Sequence, residues 1–362
     1  MCADGRAAGA SRAHLEGTFG EVFDEEHQVE APRVEHLDVR QPEREIDAAD
    51  HRDASGGAHG QTLPHRTALT ALAHAGDDAP MSFVLGDRYE VVREIASGAM
   101  GAVHEARDLR TGQRVAVKLL RAELAADASI RRRFRRESSI LRALEHPAVV
   151  RILDVGADDD DRAFTVMELL EGETLESRLA REGALTTAVA GPLFLVLADA
   201  LRAIHAQGVV HGDLKPANVF LTTANPGVRL VDFGLSKVEG LDRLTRTGEL
   251  AGTPVYMAPE LFTGEGGREP DARLDLYALG VIAYQTLSGR LPFDVRKHPG
   301  QLLFDVAMGK ARPLAEVAPS LPLPVIVAVE RAMSARRDRR PNDADALGRE
   351  WADALGLAWP PR

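Results

Sequence analysis

Four polar side chains with complementary chemistry lie close together between positions 213 and 232. Asp213, Lys215 and Asn218 belong to one stretch, and Asp232 follows two short apolar runs that flank a turn at Asn225-Pro-Gly. Such a pair of runs predicts a hairpin, which would set the two polar stretches side by side. The sequence therefore predicts two carboxylates, one amide and one ammonium in a small volume.

These residue types fit phosphoryl transfer. Asn218 and Asp232 offer hard oxygen ligands of the kind that Mg²⁺ prefers. Asp213 would orient a substrate hydroxyl and accept its proton, and Lys215 would neutralise charge on the phosphoryl group during transfer. We therefore expect Asp213 and Lys215 to be catalytic and Asn218 and Asp232 to be metal ligands.

A glycine-bearing turn is a second candidate for contact with phosphate. Gly98 and Gly101 lie between two predicted strands, where bare backbone can approach a ligand and donate N–H groups to its oxygens. A tight hairpin is the alternative explanation for such a glycine pair. The chain continues into a strand rather than a helix, which excludes the dinucleotide-binding pattern, and no Walker loop occurs in the sequence.

Lys118 and Glu137 predict an ion pair. Lys118 lies in a predicted strand over 113–120, and Glu137 lies on the apolar stripe of a predicted helix over 128–144. Burying an unpaired carboxylate is costly, so a pair with the lysine would explain both positions and would hold the lysine against phosphate. A solvated lysine on a strand face is the alternative.

Composition narrows the class of protein. The chain has 362 residues, enough for two domains, and a single cysteine, Cys2, which excludes an intrachain disulfide and a cysteine-built zinc site. The longest apolar run, 188–198, is shorter than a bilayer span needs, and no signal peptide pattern opens the chain. We expect a cytoplasmic protein without a membrane span.

The charge is concentrated at the N-terminus. The net charge is −11, and residues 1–80 account for −9 of it, with 7 Arg, no Lys and 16 acidic residues. The remaining 282 residues are close to neutral. This distribution does not support nucleic-acid binding.

Residues 1–80 show no period of 2 or 3.6 and only two aromatic residues, Phe19 and Phe23. They predict a disordered extension or a mistranslated upstream stretch with Met81 as the true start. The stretch also holds 7 of the 12 histidines, so a metal-binding or partner-binding segment is the alternative. Their spacing is not that of metal ligands.

From residue 81 onward, predicted strands with one helix precede a run of predicted helices. This order is typical of an α+β fold with two lobes and a cleft between them. We expect a small β-rich lobe over 81–168, a larger helical lobe over 169–354 and a short tail over 355–362.

The ordered motifs resemble those of the eukaryotic-type Ser/Thr protein kinases that bacteria carry, over about residues 85–354. The matching motifs are the glycine turn, Val115-Ala-Val-Lys118, Glu137, His211-x-Asp213 with Asn218, Asp232-Phe-Gly234 and Ala258-Pro-Glu260. The resemblance implies ATP as phosphoryl donor, Mg²⁺ as metal with Mn²⁺ as an alternative, and protein substrates with Ser or Thr acceptors. It also implies a role in signal transduction.

The resemblance further implies a nucleotide site between the lobes, with the backbone near Glu168 and Leu170 holding adenine. Arg340 would form a salt bridge with Glu260, and Asp275 would brace the loop at Asp213. The residues that the resemblance assigns to nucleotide binding are Ile95, Ala96, Gly98, Gly101, Val103, Ala116, Lys118, Glu137, Met167, Glu168 and Leu170.

Two further functions compete with that of an active kinase. A nucleotide-binding pseudokinase scaffold is supported by Ala96 and Gly212, which stand where the family has Gly and Arg. A small-molecule phosphotransferase is disfavoured by Ala258-Pro-Glu260, which resembles a segment that docks peptides. We expect regulation by a separate sensor protein or by residues 1–80, because little sequence follows the last predicted helix.

Gly212 generates one prediction. In the family, the arginine at this position receives a phosphate from the activation loop, so its absence predicts activity that depends little on phosphorylation of Thr245 or Thr247. Turnover of a Thr245→Ala/Thr247→Ala double variant should stay close to that of wild type. A large loss would show that another cation, such as Lys237 or Arg246, supplies the missing charge.

Overall fold

An antiparallel sheet with one long helix forms the first part of the structure. The computed structural model describes residues 83–98, 100–225, 227–233, 254–263 and 271–361. The sheet has the strand order β1-β2-β3-β4-β6-β5. Its strands are β1 (Val84–Leu85), β2 (Tyr89–Ser97), β3 (Gly101–Asp108), β4 (Arg114–Leu120), β5 (Ile152–Ala157) and β6 (Ala163–Glu168).

Strand β4 shows why the sheet has two different faces. Val115 and Val117 pack into a small apolar cluster on the outer face, together with Phe164 of β6. Ala116 belongs to the larger core on the opposite face. The alternation of side chains along a strand predicts that Lys118 points the same way as Ala116, and the structure agrees.

Two helices follow β4, namely α1 (Ala122–Ala125) and α2 (Ala128–Ala143). The Asp127 carboxylate caps α2 by accepting hydrogen bonds from the backbone N–H groups of Ser129 and Ile130. Phe134, Ser138 and Leu141 form its buried face, which packs against β5 and β6. The helix therefore lies against β5 and β6, and β6 pairs with β4, the strand that carries Lys118.

The second part of the structure is mainly helical. A small sheet contains β7 (Gly172–Thr174), β8 (Val219–Thr222) and β9 (Val228–Leu230), and the β8–β9 hairpin confirms the turn predicted at Asn225. The helices are α3 (Leu175–Glu182), α4 (Thr187–His205), α5 (Glu260–Thr263), α6 (Arg273–Ser288), α7 (Pro299–Ala307), α8 (Leu314–Val317), α9 (Leu323–Ala332) and α10 (Ala344–Leu355). Within the described ranges, short 3₁₀ helices span Pro216–Asn218, Pro254–Tyr256 and Arg337–Arg339.

Helix α4 is the centre of this helical part. It packs against α6 and α10, and the Phe194 ring meets the Trp351 ring edge to face at 5.4 Å. Among the described helices, α4 alone is long and apolar enough to cross a membrane, and half of the apolar segment is buried within the fold. Its apolar composition is therefore explained by its place in the core.

A buried ion pair joins distant parts of the helical region. The Arg340 guanidinium donates two hydrogen bonds of 2.7 Å to the Glu260 carboxylate, and both side chains are almost completely buried. Arg340 also donates to the Ser334 carbonyl at 2.8 Å. The Arg340–Glu260 pair expected from the resemblance is thus confirmed.

The apolar pattern at 149–153 predicts a strand, and this prediction is partly wrong. Strand β5 begins only at Ile152, because the preceding residues bond to the small sheet instead. The Val150 N–H donates to the Leu230 carbonyl at 3.0 Å, and the Leu230 N–H donates to the Ala148 carbonyl at 2.7 Å. The apolar pattern at 149–150 therefore reflects burial in a connecting segment.

The predicted fold class is confirmed, with a β-rich part that carries one long helix and a larger helical part. The boundaries predicted at residues 168 and 354 stay predictions. The expectations for residues 1–80 fall outside the described residues.

Candidate active site

A buried carboxylate holds the loop that carries Asp213. Asp275 of α6 accepts hydrogen bonds from the backbone N–H groups of His211 at 2.8 Å and Gly212 at 2.9 Å. It also lies 2.8 Å from Nε2 of His205, the last residue of α4. Burial disfavours its charge, but these donors outweigh burial and hold the pKa of Asp275 below its usual range. The expected bracing role of Asp275 is confirmed.

His205 was not anticipated from the sequence. The only available signal was a histidine in the last turn of an otherwise apolar helix, a pattern that more often ends at solvent. The structure instead places its ring against Asp275, so it contributes to the negative charge state of that acid.

The backbone at Gly212 explains the local sequence. Its φ is +70°, in the left-handed region that glycine adopts without strain. Both of its neighbours, His211 and Asp213, are held by further hydrogen bonds. Glycine at this position therefore relaxes the loop, while it leaves the loop without an arginine side chain.

His211 links the two polar stretches. Its Nε2 lies 3.1 Å from the Val231 carbonyl, and its ring stacks on Phe233 at 4.6 Å. Because a carbonyl only accepts, Nε2 carries the proton and Nδ1 accepts from the Asp213 N–H at 3.3 Å. Complete burial lowers the pKa of His211, which is consistent with this neutral tautomer.

Asp213, Lys215 and Asn218 are brought together as predicted. The Lys215 Nζ lies 3.1 Å from Asp213 Oδ2. Nδ2 of Asn218, a buried residue, donates to the Asp213 carbonyl at 2.7 Å and reaches Asp213 Oδ2 at 3.3 Å. The same amide nitrogen lies 3.4 Å from the Asp232 carbonyl, so Asn218 joins both stretches.

Asp232 pairs with Lys118 across the two parts of the structure. Lys118 Nζ lies 3.0 Å from Asp232 Oδ1, and the lysine is 8% exposed. Asp232 has a φ of +57°, an uncommon value for a residue with a side chain. Such outliers persist where the surroundings hold them and concentrate at functional sites.

The predicted Lys118–Glu137 pair is wrong for this structure, since Asp232 is the carboxylate that contacts Lys118 among the described residues. The reason lies in the rotation of α2. Thr165 is the register partner of Lys118, and its hydroxyl lies 2.8 Å from that of Ser138. The helix thus presents Ser138, one residue further along, to the strands at this level.

Glu137 is nevertheless half-buried. Burial raises its pKa to about 7, although the charges of Arg133 and Arg136 oppose the increase. A buried carboxyl group without a close cation is more stable protonated, so Glu137 is poised to change charge near neutral pH.

This raised pKa predicts a pH-dependent change in stability. Between pH 4.5 and about 7, the folded state retains the Glu137 proton and the unfolded chain loses it. The free energy of unfolding therefore falls as the pH rises through this range. Glu137→Gln should raise the free energy of unfolding by about 1–2 kcal/mol at pH 8, since partial exposure reduces the full effect. At pH 4 the variant should match wild type.

Denaturant titrations at both pH values provide the measurement. Glu123→Gln, a change at an exposed position of α1, is the matched control. It should leave the free energy of unfolding close to that of wild type at both pH values. Equal stability of Glu137→Gln and wild type at pH 8 would show that Glu137 is well solvated or paired.

The two glycines of the candidate phosphate turn have different explanations. A Cβ on Gly101 would lie 2.1 Å from the Leu119 carbonyl oxygen, so the close approach of β3 and β4 requires glycine there. A Cβ on Gly98 would meet nothing nearer than the Gly101 carbonyl at 3.8 Å. The sheet therefore explains Gly101, and the small size of Gly98 is left for contact with a ligand.

This difference predicts opposite outcomes for two alanine variants. Gly101→Ala should destabilise the chain by about 1–3 kcal/mol, because the new methyl group must displace the β4 backbone. Gly98→Ala should change stability by no more than about 0.5 kcal/mol. Urea unfolding of both variants tests the assignment, and equal destabilisation would contradict it.

Strand register relates several of the remaining predicted nucleotide-binding residues to Lys118. Ala96 pairs with Val103, and Val103 pairs with Lys118 on the next strand. Ala116 pairs with Met167 of β6. These pairs set small or apolar side chains around Lys118.

The connection after β6 begins at Glu168, which is tied to its surroundings. Glu168 Oε1 accepts from the Arg151 N–H at 2.9 Å and lies 3.7 Å from the Arg229 guanidinium. Ile95 and Leu170 are partly buried against the larger core. The activation-loop candidates Thr245 and Thr247, together with Gly234, lie outside the described residues.

Comparisons with known proteins agree with this geometry. A family model described as the protein kinase domain matches residues 89–351. Serine/threonine-protein kinase pkn2 of Myxococcus xanthus is 40% identical over 287 residues, which are 77% of this chain and 33% of that protein. PkaA of Streptomyces coelicolor is 37% identical over 278 residues, 73% of this chain and 49% of that protein. The chain thus spans between a third and a half of the length of these curated relatives.

Solved structures show the same fold. A crystal structure of the Mycobacterium tuberculosis PknI kinase domain superposes with a TM-score of 0.61 at 28% identity, covering 77% of this chain and all of that chain. Rad53 residues 1–466 in complex with AMP-PNP has a TM-score of 0.61 at 24% identity, covering 73% of this chain and 65% of that one. The second likeness concerns the fold alone.

Proposed function

The chain belongs to the protein kinase family, and we propose that it transfers the γ-phosphoryl group of ATP to Ser and Thr hydroxyls of proteins. One observation carries the proposal. A continuous set of contacts joins Asp213, Asn218, Asp232 and Lys118, so a general base, two oxygen ligands and an amine meet in one place. Phosphoryl transfer needs these groups together.

Asp213 would orient the acceptor hydroxyl and take its proton. His211 and Asp275 hold the backbone on its N-terminal side, so the carboxylate is presented by a loop with little freedom. Lys215 lies against the same carboxylate and would place its ammonium beside the phosphoryl group in transfer. We propose both residues as catalytic.

Asn218 and Asp232 would hold Mg²⁺, or Mn²⁺ in its place. The Asn218 amide nitrogen donates to backbone carbonyls, and no protein group that the structure describes donates to its Oδ1. Asp232 contributes a partly exposed carboxylate. These hard oxygens fit a divalent cation, which would offset phosphate charge when bound.

Lys118 would contact the phosphates of ATP. In the present arrangement its ammonium is held by Asp232, the same carboxylate that we assign to the metal. If the metal takes Asp232, a rotation or shift of α2 would be needed to bring Glu137 to Lys118 as a second partner. Glu137 therefore remains in the proposed nucleotide site, with a role that depends on helix position.

Adenine would lie between residues of strands β2, β3 and β4 on one side and the connection after β6 on the other. Ile95, Ala96, Val103 and Ala116 would contact it from the sheet. Met167, Glu168 and Leu170 would supply the other wall and backbone hydrogen bonds. Gly98 and Gly101 would lie over the phosphates.

The proposal extends to the setting of the enzyme. Membership of the family supports protein substrates. We also propose a separate regulator protein. The composition of the chain favours a cytoplasmic site of action. A pseudokinase scaffold is the competing function, based on Ala96 and Gly212. Gly212 relaxes the loop and removes no group that takes part in the reaction, which favours the active enzyme.

A transfer assay tests the proposal. The full chain is incubated with labelled ATP, Mg²⁺ and a generic protein substrate, and incorporation of label into Ser and Thr is measured. Asp213→Asn should lower the rate by at least about 100-fold, because the proton acceptor is lost. Lys118→Met should be inactive while still folded.

Two surface changes of the same kind serve as controls. Asp353→Asn and Lys310→Met lie on the helical part and should retain the wild-type rate. Binding of ATP by wild type without transfer to any acceptor would favour the scaffold. Retained activity of Lys118→Met would mean that this lysine is misassigned.

A further inference from the structure

Arg121 directly follows β4 and contacts the glycine turn. Its side-chain Nε donates to the Gly98 carbonyl at 2.8 Å, and its Nη2 lies 3.5 Å from the Ser97 hydroxyl. Its backbone N–H donates to the Met100 carbonyl at 3.0 Å. One residue therefore contacts carbonyls near both ends of the turn.

These contacts restrict the turn from one side. The Gly98 N–H also donates to the Gly101 carbonyl at 2.9 Å, and Gly101 is pressed against Leu119. In a trans peptide unit the C=O and the following N–H point in opposite directions. The bond from Arg121 to the Met100 carbonyl thus directs the Gly101 N–H away from β4.

Among the described residues, no acid contacts the Arg121 guanidinium. In the parts of the chain that the structure describes, its partners are the Gly98 carbonyl and the Ser97 hydroxyl, and no carboxylate contacts it. Other arginines of this sheet, such as Arg93 and Arg114, pair with Glu105. Arg121 therefore places a net positive charge at the turn expected to face a polyanion.

Arg121 also connects this turn to Lys118. Both residues belong to one continuous stretch at the end of β4, three positions apart. Because the strand is fixed by its pairing with β3 and β6, a turn bonded to Arg121 keeps a constant position relative to the lysine. A turn without this bond would be held only by the backbone.

We propose that Arg121 is a positioning residue, which holds the glycine turn over the phosphates of ATP and adds positive charge there. It acts through the turn and does not reach the acceptor hydroxyl. The inference rests on the proposed function, since it assumes that the turn faces ATP. It predicts an effect on triphosphate binding that is separate from adenine binding and from the rate of transfer.

The test compares full-length wild type with Arg121→Met and Arg121→Lys. Methionine keeps an aliphatic stem beside Leu119 and Leu120 but has no donor, and lysine keeps one donor and the charge. Arg110→Met, at the exposed far end of the β3–β4 hairpin, is the matched control for loss of one arginine. Calorimetry gives the dissociation constants of Mg-ATP and of adenosine, and steady-state kinetics give KM for ATP and kcat.

Arg121→Met should weaken Mg-ATP binding about 3- to 10-fold, the effect of one charge-assisted hydrogen bond at an exposed site. KM for ATP should rise in parallel, while adenosine binding and kcat at saturating ATP stay at wild-type values. Arg121→Lys should recover part of the loss. Arg110→Met should bind both ligands as wild type does.

Three results would overturn the inference: unchanged Mg-ATP binding, an equal loss for ATP and adenosine, or a fall in kcat with unchanged KM. The second would indicate a general structural role, which the thermal unfolding midpoint would also report. Wild type that fails to bind Mg-ATP would end the proposed function and the inference together. Normal binding by wild type and by Arg121→Met would end the inference alone.

Discussion

The buried carboxylate of Asp275 determines the shape of the candidate active site. It accepts two successive backbone N–H groups of the Asp213 loop and is held negative by His205. From that loop, His211 reaches the Val231 carbonyl and so carries the same constraint to Asp232. Removing the Asp275 side chain would leave the backbone N–H groups of His211 and Gly212 without this acceptor, and the two polar stretches would no longer be held by a shared contact.

A second constraint is that Lys118 contacts only one of the two acids that could pair with it. Lys118 contacts Asp232 in this structure, whereas Glu137 on α2 remains half-buried with a raised pKa. Under the proposed function, Mg²⁺ on Asp232 would weaken the contact of this carboxylate with Lys118. That loss would favour a position of α2 in which Glu137 contacts Lys118 instead.

Much of the fold could be predicted because side-chain periodicity survives tertiary packing. The alternation in β4 correctly put Lys118 on the same face as Ala116, and the apolar runs around Asn225 correctly gave a hairpin that joins Asn218 to Asp232. The rotation of α2 could not be predicted at the same precision. Adjacent helical residues differ by about 100° in direction, so an error of one position in the residue that faces the strands exchanges Ser138 for Glu137.

The sequence also could not show why glycine is needed at a particular position. Gly98 and Gly101 look alike in the sequence, yet only Gly101 is required by a neighbouring strand. The contacts of Arg121 with the turn could not be predicted either, because every residue has a backbone carbonyl and the sequence does not show which one an arginine contacts. Side chain to backbone contacts are thus the part of the site that needed coordinates.

The Arg340–Glu260 pair has a consequence for biosynthesis. Glu260 is buried, and its cation lies 80 residues nearer the C-terminus. A nascent chain that has emerged only as far as α9 would hold an acid that cannot be enclosed without its countercharge. We therefore expect the helical region to close only after the segment around Arg340 has left the ribosome.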